Sequence, residues 1–280
     1  MDCVVDSIGL TFLINERRAQ GVMMRALTLL SLLATFTGLL LLGDRRSLSS
    51  TPSRQFLPVI RHGSSKTSNW AGYVAATDLS IPLKHSVTDV QGSWRVPTVV
   101  ASGTLNTASA VWVGIDGDSN RTVEQIGTEQ DWAGGAPVYY AWFEMYPARG
   151  FMITAVPIQP GDQISAEVQF IAKNQFVLSI SNLTQNVGFS ITKKRAAQRT
   201  SAEWIVEAPF FHRILSLADF GTVPFSGCST TMEGVAGAIN DGSWQNESLT
   251  MENLITSTTL AQPFGLTGGG AGFTVIWRHN

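Results

Sequence analysis

Short apolar runs that alternate strictly with polar residues fill the second half of this chain, and that period excludes most folds. After the turn Pro160-Gly161-Asp162, the residues Ile164, Ala166, Val168 and Phe170 are apolar with polar partners between them. Phe176, Leu178 and Ile180 repeat the pattern, Phe189 and Ile191 continue it, and Phe273-Thr274-Val275-Ile276-Trp277 reads as a closing strand. Successive side chains of a strand point to opposite faces, so a period of two marks a strand with one face buried. Short strands at this spacing, broken by turn residues, predict an all-β fold: an antiparallel sandwich of two sheets. Only Phe210–Phe220 offers a short helix, and it reads equally well as a loop.

The N-terminal quarter is different. Residues 26–42, ALTLLSLLATFTGLLLL, are an apolar run of 17 residues between Arg25 and the pair Arg45–Arg46. That is longer than the apolar stretch of a typical secretory signal, roughly 7–15 residues, and shorter than the roughly 20 of a membrane span. Residues 1–43 are therefore read as an N-terminal extension plus a signal peptide or membrane anchor. Export is expected, with a possible tether through 26–42. Met23 or Met24 is a more natural start for such a signal than Met1. Residues 44–67 are polar, rich in Ser and Arg, and carry Pro52 and Pro58, as a linker or short propeptide would. The folded body is expected over 68–280.

Charge and cysteine content narrow the class. Charged residues make up only 14% of the chain, against about 25% in ordinary soluble proteins. Sparse charge suits an acidic medium, where carboxylates that protonate would otherwise lose native ion pairs. Ser64–Asn280 holds 12 Lys/Arg against 17 Asp/Glu, and the first 63 residues 7 against 4, so −5 and +3 give the net −2. The body's basic run, Lys193–Lys194–Arg195, reads as a solvated turn, so nucleic acid is not expected as a partner. Cys3 precedes the apolar run and Cys228 stands alone in the body, so no internal disulfide is expected.

Most hydrolytic constellations are missing. The histidines His62, His85, His212 and His279 are scattered singly, which argues against zinc, and neither a metal nor a cofactor is expected. No G-x-S-x-G elbow occurs. Gly114-Ile115-Asp116-Gly117-Asp118 lacks the spacing of a calcium loop, and its aspartates read as turn formers. Carboxylates among aromatics remain: Glu144 in AWFEMYP and Glu203 in SAEWIVEAP. On a strand Glu203, Ile205 and Glu207 share one face, and Trp204 and Val206 the other. By pattern alone these are ordinary surface glutamates, and Gln125 has no role. Two enzymatic or binding alternatives stand beside that: a β-sandwich glycoside hydrolase using Glu144 and Glu203, or a carbohydrate-binding module stacking sugars on Trp112, Trp142 and Trp204. An amide beside Glu203 would favour peptide cleavage, and a second carboxylate would favour sugar.

Several blocks resemble the glutamic peptidases, the eqolisin family. They are SNWAGYV at Ser68–Val74, GSWRVPTV at Gly92–Val99, WVGIDG at Trp112–Gly117, QIGT from Gln125, AWFEMYP at Ala141–Pro147, AEWIVE at Ala202–Glu207 and ADFGTV at Ala218–Val223. They run in order from Ser68 to about Phe225. The resemblance implies a concanavalin-like antiparallel β-sandwich with a cleft on its concave face. It implies a metal-independent endopeptidase that acts on polypeptides in acid, as a monomer. It assigns catalysis to Gln125, as oxyanion donor, and Glu203, as general base. Trp70, Trp112, Asp116 and Glu144 are implied to line or support the cleft. The chain departs from the family's pattern at Glu129, where an aspartate is expected, at Met145, where an aromatic is expected, and in the spacing of Asp116 from Gln125. The missing disulfides point to a bacterial or archaeal member rather than a fungal one.

Overall fold

The computed structural model describes residues 48–50, 54–59, 65–103, 106–253 and 255–279. The expected leader, its apolar run 26–42 and half of the 44–67 segment lie outside the described residues. Among the described residues, seventeen strands follow in chain order: β1 (Leu48–Ser50), β2 (Lys66–Thr67), β3 (Trp70–Ala76), β4 (Val87–Arg95), β5 (Thr107–Ile115), β6 (Val123–Ala133), β7 (Ala136–Tyr146), β8 (Phe151–Ile153) and β9 (Gln163–Ala172). After them come β10 (Gln175–Asn182), β11 (Val187–Lys194), β12 (Ser201–Glu207), β13 (Thr222–Met232), β14 (Val235–Ala238), β15 (Gln245–Glu252), β16 (Thr259–Pro263) and β17 (Phe273–Trp277).

The pairings form two antiparallel layers. One runs β1-β8-β7-β6-β5-β12-β3-β15. The other runs β11-β10-β9-β4-β13-β17-β16-β15, with β14 on β13. Strand β15 joins them: Gln245–Leu249 pair with β3 in the first layer, and Met251 and Glu252 pair with β16 in the second. The alternation seen in sequence does what a half-buried strand requires. Ile164, Ala166 and Val168 of β9 and Phe176, Leu178 and Ile180 of β10 are buried, and their neighbours are more exposed. These residues enter the core between the layers together with Val111, Val113, Ile126, Phe143 and Trp204.

The middle of the first layer breaks the alternation. Every residue of β3, β5 and β12 is buried. Strands covered on both faces read as continuous rather than alternating. The face turned away from the core carries a second apolar cluster built on Trp70, Val74, Trp112, Trp142 and Ile205, with Phe56 among them. Gly72 shows how tightly these strands are set. Its φ is 153°, and a Cβ there would stand 2.1 Å from the Trp204 carbonyl oxygen, so the SNWAGYV block needs glycine for backbone reasons.

Two local expectations change. The basic run 193–195 is not a turn: Lys193 and Lys194 end β11, and the Lys193 ammonium lies 5.4 Å from the Phe143 ring centroid. The stretch 210–220 holds no helix. It is loop, stitched by bridges from Phe210 to Ile214 and to Gln55.

Candidate active site

Register places three of the expected residues in one row. Gln125 on β6 faces Glu144 on β7 to one side and Gly114 on β5 to the other, and Gly114 faces Glu203 on β12. Directly opposed residues project from the same face, so Glu144, Gln125 and Glu203 share the face that carries the tryptophan cluster. Sharing a face does not bring Glu203 to the amide. Gly114 lies between them, and a Cβ on it would meet the Trp112 ring at 2.8 Å and the Gln125 Cβ at 3.1 Å. The indole of Trp112 thus fills the space above Gly114, midway between Gln125 and Glu203.

Glu203 belongs to a different neighbourhood. It is fully buried, neither of its carboxyl oxygens has a hydrogen-bond partner among the described residues, and the charges acting on it are those of Asp116, Asp118 and Glu124. Burial first, then these carboxylates, hold its own carboxyl well above the usual range. The amide expected beside it is engaged elsewhere. Gln125 Nε2 donates to Glu144 Oε2 at 2.9 Å and to the backbone carbonyl of Phe56 at 3.2 Å. The sequence expectation of a direct Gln125–Glu203 pair is therefore not what the side chains make.

A second glutamate of the same strand face takes that place. Glu207 accepts the Trp112 Nε1–H at 3.0 Å, and the Leu57 backbone amide also bonds to its carboxyl. Burial pushes the Glu207 carboxyl well up, and the charge of Glu144 is the next largest cause. Burial likewise raises Glu144, against hydrogen bonds from the Phe56 amide and from Gln125. Gln125 and Glu207 therefore meet the two ends of a single peptide unit, that between Phe56 and Leu57, while Glu144 holds Gln125 and the Phe56 N–H of the preceding unit.

That peptide belongs to the extended segment 54–59, which lies along the tryptophan face. Arg54 pairs with both Glu129 and Asp131. Gln55 exchanges two backbone hydrogen bonds of 2.9 Å with Phe210. The Phe56 ring stacks on Trp142 at 3.6 Å and 7°, and its N–H reaches Glu144 at 3.3 Å. The Leu57 carbonyl accepts from Trp70 Nε1 at 3.1 Å, and Val59 N–H donates to the Gly117 carbonyl at 3.1 Å. Trp70 in turn meets Trp112 edge-on at 4.9 Å. The expected wall residues Trp70, Trp112 and Glu144 thus touch this segment or the glutamate that faces it.

Asp116 does something else. At φ 72° its carboxylate accepts the backbone N–H groups of Arg199 at 2.7 Å and Thr200 at 2.8 Å, and the Asn120 amide at 2.6 Å. It ties the entry of β12 to the end of β5, and so fixes the strand from which the glutamates project. Among the described residues, no group of three His, Cys, Asp or Glu is arranged to hold a metal ion.

Sequence reasoning passed over Glu207, although AEWIVE places it on the same face as Glu203. It also passed over Arg54 and Phe56, which lie outside every recognised block. The available signal was the pair of glutamates four apart; nothing local distinguishes which of them meets the amide.

Comparison with known proteins agrees with the blocks. The family described as Peptidase A4 matches residues 68–263. Scytalidopepsin B of Scytalidium lignicola is 30% identical over 207 residues, covering 69% of this chain and 74% of that protein. The crystal structure of scytalido-glutamic peptidase with a transition state analog inhibitor superimposes with a TM-score of 0.62 at 24% identity, over 75% of this chain and 98% of that one. Aspergilloglutamic peptidase from Aspergillus niger gives a TM-score of 0.54 at 27% identity, over 61% of this chain and 99% of that one. Sequence match, shared sandwich and the ordered blocks lead to one conclusion: the chain belongs to the Peptidase A4 family, the eqolisin group of glutamic peptidases.

Proposed function

We propose that this peptidase is an exported, acid-acting endopeptidase in which Gln125 stabilises the oxyanion and a glutamate of β12 is the general base, and that this base is Glu207 rather than Glu203. One observation carries the reading: the Gln125 amide and Glu207 meet one extended peptide unit, with the amide donor on its carbonyl and the glutamate on its nitrogen side, and Glu144 bonds to Gln125 beside it. Glu207 takes a proton from the attacking water, a step worth about 10²–10⁴-fold. The Gln125 N–H steadies the oxygen that gains charge, and losing such a donor costs on the order of 10²–10³ in kcat. Glu207 then returns the proton to the leaving amine.

The acid action follows from the neighbours. Two carboxyls in one desolvated site do not ionise together easily, and they titrate as a pair. Glu207 accepts the Trp112 N–H and Glu144 accepts Gln125 and the Phe56 N–H, so the pair shares a proton in acid, and Glu207, on the nitrogen side of the peptide unit, serves as the base. Rising pH ionises both and removes the acid. Glutamine keeps its role throughout, because it does not titrate. The apolar run 26–42 and the sparse charge support export. Polypeptide substrates are supported by the relative crystallised with the tripeptide Ala-Ile-His. The glycosidase alternative needs Glu144 and Glu203 as a pair. Glu203 does have carboxylates around it, but Glu144 is bonded to an amide, and the family match favours peptide cleavage.

The test is a set of three variants assayed on a denatured protein in acid. Glu207→Gln and Gln125→Ala are expected to lose at least several hundred-fold in rate, and Glu203→Gln no more than about tenfold. An inactive Glu203→Gln beside an active Glu207→Gln returns the base to Glu203. Full activity in both refutes a β12 glutamate as base.

A further inference from the structure

We propose that Arg121 selects a carboxylate on the leaving-amine side of the groove, at the third residue after the cut bond, carried there by an acidic side chain or by the substrate's own C-terminus. This rests on the catalytic reading above and adds to it the preference of one subsite. The Phe56 carbonyl is on Gln125 and the Leu57 nitrogen is toward Glu207, so the segment 54–59 marks the path and register of an extended substrate in the same groove. Leu57, Pro58 and Val59 stand where the leaving product begins. All three are held through their backbone. The Leu57 carbonyl accepts from Trp70 Nε1 at 3.1 Å, the Pro58 carbonyl accepts from Asn69 Nδ2 at 3.3 Å, and the Val59 N–H donates to the Gly117 carbonyl at 3.1 Å. Backbone contacts of this kind fix register and leave the choice of side chain to the walls.

A cavity of about 550 Å³ adjoins these three residues, lined by Asp118, Ser119, Asn120, Arg121 and Tyr146. Most of its polar groups are already committed. Asn120 Nδ2 donates to the Asp116 carboxylate and to Thr200 Oγ1, its Oδ1 accepts the Thr122 N–H and hydroxyl, and the Ser119 hydroxyl pairs with that of Thr200. Asp118 is half-buried and has an interaction of its own. Arg121 is the exception: it is exposed and makes no hydrogen bond or ion pair among the described residues. Tyr146, the neighbour of Val123 across the β6–β7 register, brings a hydroxyl that has no hydrogen bond among them either. The wall thus offers a cation and a neutral donor that the protein itself does not use. The turn that carries Arg121 is pinned on both sides of it, at Asn120 by Asp116 and at Thr122 by Asn120. A root fixed in advance lowers the ordering cost of binding. A guanidinium stays charged throughout the working pH range, and its planar fork meets a carboxylate in two parallel hydrogen bonds.

The experiment compares synthetic peptides of one sequence that are cut at a Phe–Leu bond and differ only at the third residue after it, which is Glu, Gln or Lys. A second pair ends at that residue, as free acid or as amide. At pH 5 the purified full chain is expected to cleave the Glu peptide about three- to tenfold more efficiently than the Gln peptide, through KM, with the Lys peptide below both. The Glu-to-Gln ratio should fall toward one at pH 3, where a Glu side chain, with a pKa of about 4.3, is protonated. Asp118 and Tyr146 in the pocket, and Asp116 and Glu203 near Asp118, act on both peptides alike, so their own titration cancels in the ratio. Arg121→Gln should bring the ratio to about one, and Arg121→Glu should place Lys above Glu. A preference for Glu over Gln assigns the carboxylate to a side chain, and a preference for free acid over amide assigns it to the chain end. Equal cleavage within both sets, or a preference that survives Arg121→Gln, overturns the inference and leaves the catalytic reading standing. Turnover by Gln125→Ala or Glu207→Gln removes that reading instead, and the ratios in the parent protein are judged apart from it.

Discussion

Raising the pH from 4 to 7 should destabilise this protein, against the usual trend. Most acidic side chains in folded proteins are paired or hydrogen-bonded, so their carboxyls titrate low and acid unfolds the protein. Here the acids of the tryptophan face are buried faster than they are paired. Glu129, Glu144, Glu203 and Glu207 are all held well above the usual range, with burial the largest cause in each, and Glu124 behind them likewise. Asp131 supplies a magnitude. Burial, offset in part by Arg54, pushes its carboxyl up from 3.8 to about 6. At about 1.36 kcal/mol per pH unit, that difference corresponds to about 3 kcal/mol. The native state binds this proton more tightly than the unfolded chain does. The stabilisation is therefore complete below pH 3.8 and is lost as pH rises to about 6. For a domain of this size about 1 kcal/mol moves Tm by roughly 2–4 °C, so Asp131 alone corresponds to roughly 6–12 °C. The glutamates add to the fall in the same direction. Circular dichroism melts from pH 3 to 8 at fixed ionic strength measure it, with Glu203→Gln as the companion: removing one buried acid should raise Tm at pH 7 and leave it unchanged at pH 4. A Tm that is flat or rising between pH 4 and 7 in the parent protein refutes the reasoning.

Three further outcomes check the fold beneath the site. Gly72→Ala places a Cβ 2.1 Å from the Trp204 carbonyl, and should destabilise at or beyond the roughly 1–3 kcal/mol of ordinary overpacking, read as lost soluble yield or a lower denaturation midpoint. Asp116→Ala strands the Arg199 and Thr200 N–H groups, each worth about 1–3 kcal/mol when left buried without a partner. A Tm drop of several degrees with weaker activity is expected, and an unchanged Tm would show that the tie is dispensable. Cys228 is free and buried, with its thiol pushed up by burial, so a thiol reagent should label it only on unfolding.

The strands of the second layer were legible because their environment is simple. In β9 and β10 one face meets the core and the other meets solvent, so the period of two appears directly in Ile164–Phe170 and Phe176–Ile180. Strands β3, β5 and β12 hid that period, since both faces are covered, and only recognised blocks located them. The candidate site was legible in part for the same reason. Strand geometry puts Glu203 and Glu207 on one face, but the choice between them depends on the Trp112 indole, which leans over Gly114 from another strand. The segment 54–59 looked like a polar linker because most of its partners are far from it in sequence: Glu129, Asp131, Trp142 and Phe210 lie roughly 75 to 155 positions on.

Local composition, then, determined the class of fold, the scarcity of charge and the residue types available for hydrolysis, because side-chain period and chemical identity are properties of short stretches of chain. Tertiary structure alone decided which glutamate shares a peptide with Gln125, why buried acids titrate high, and what lies in the groove. Those are questions of distance and of water exclusion between strands that are far apart in sequence, and no window along the chain contains them.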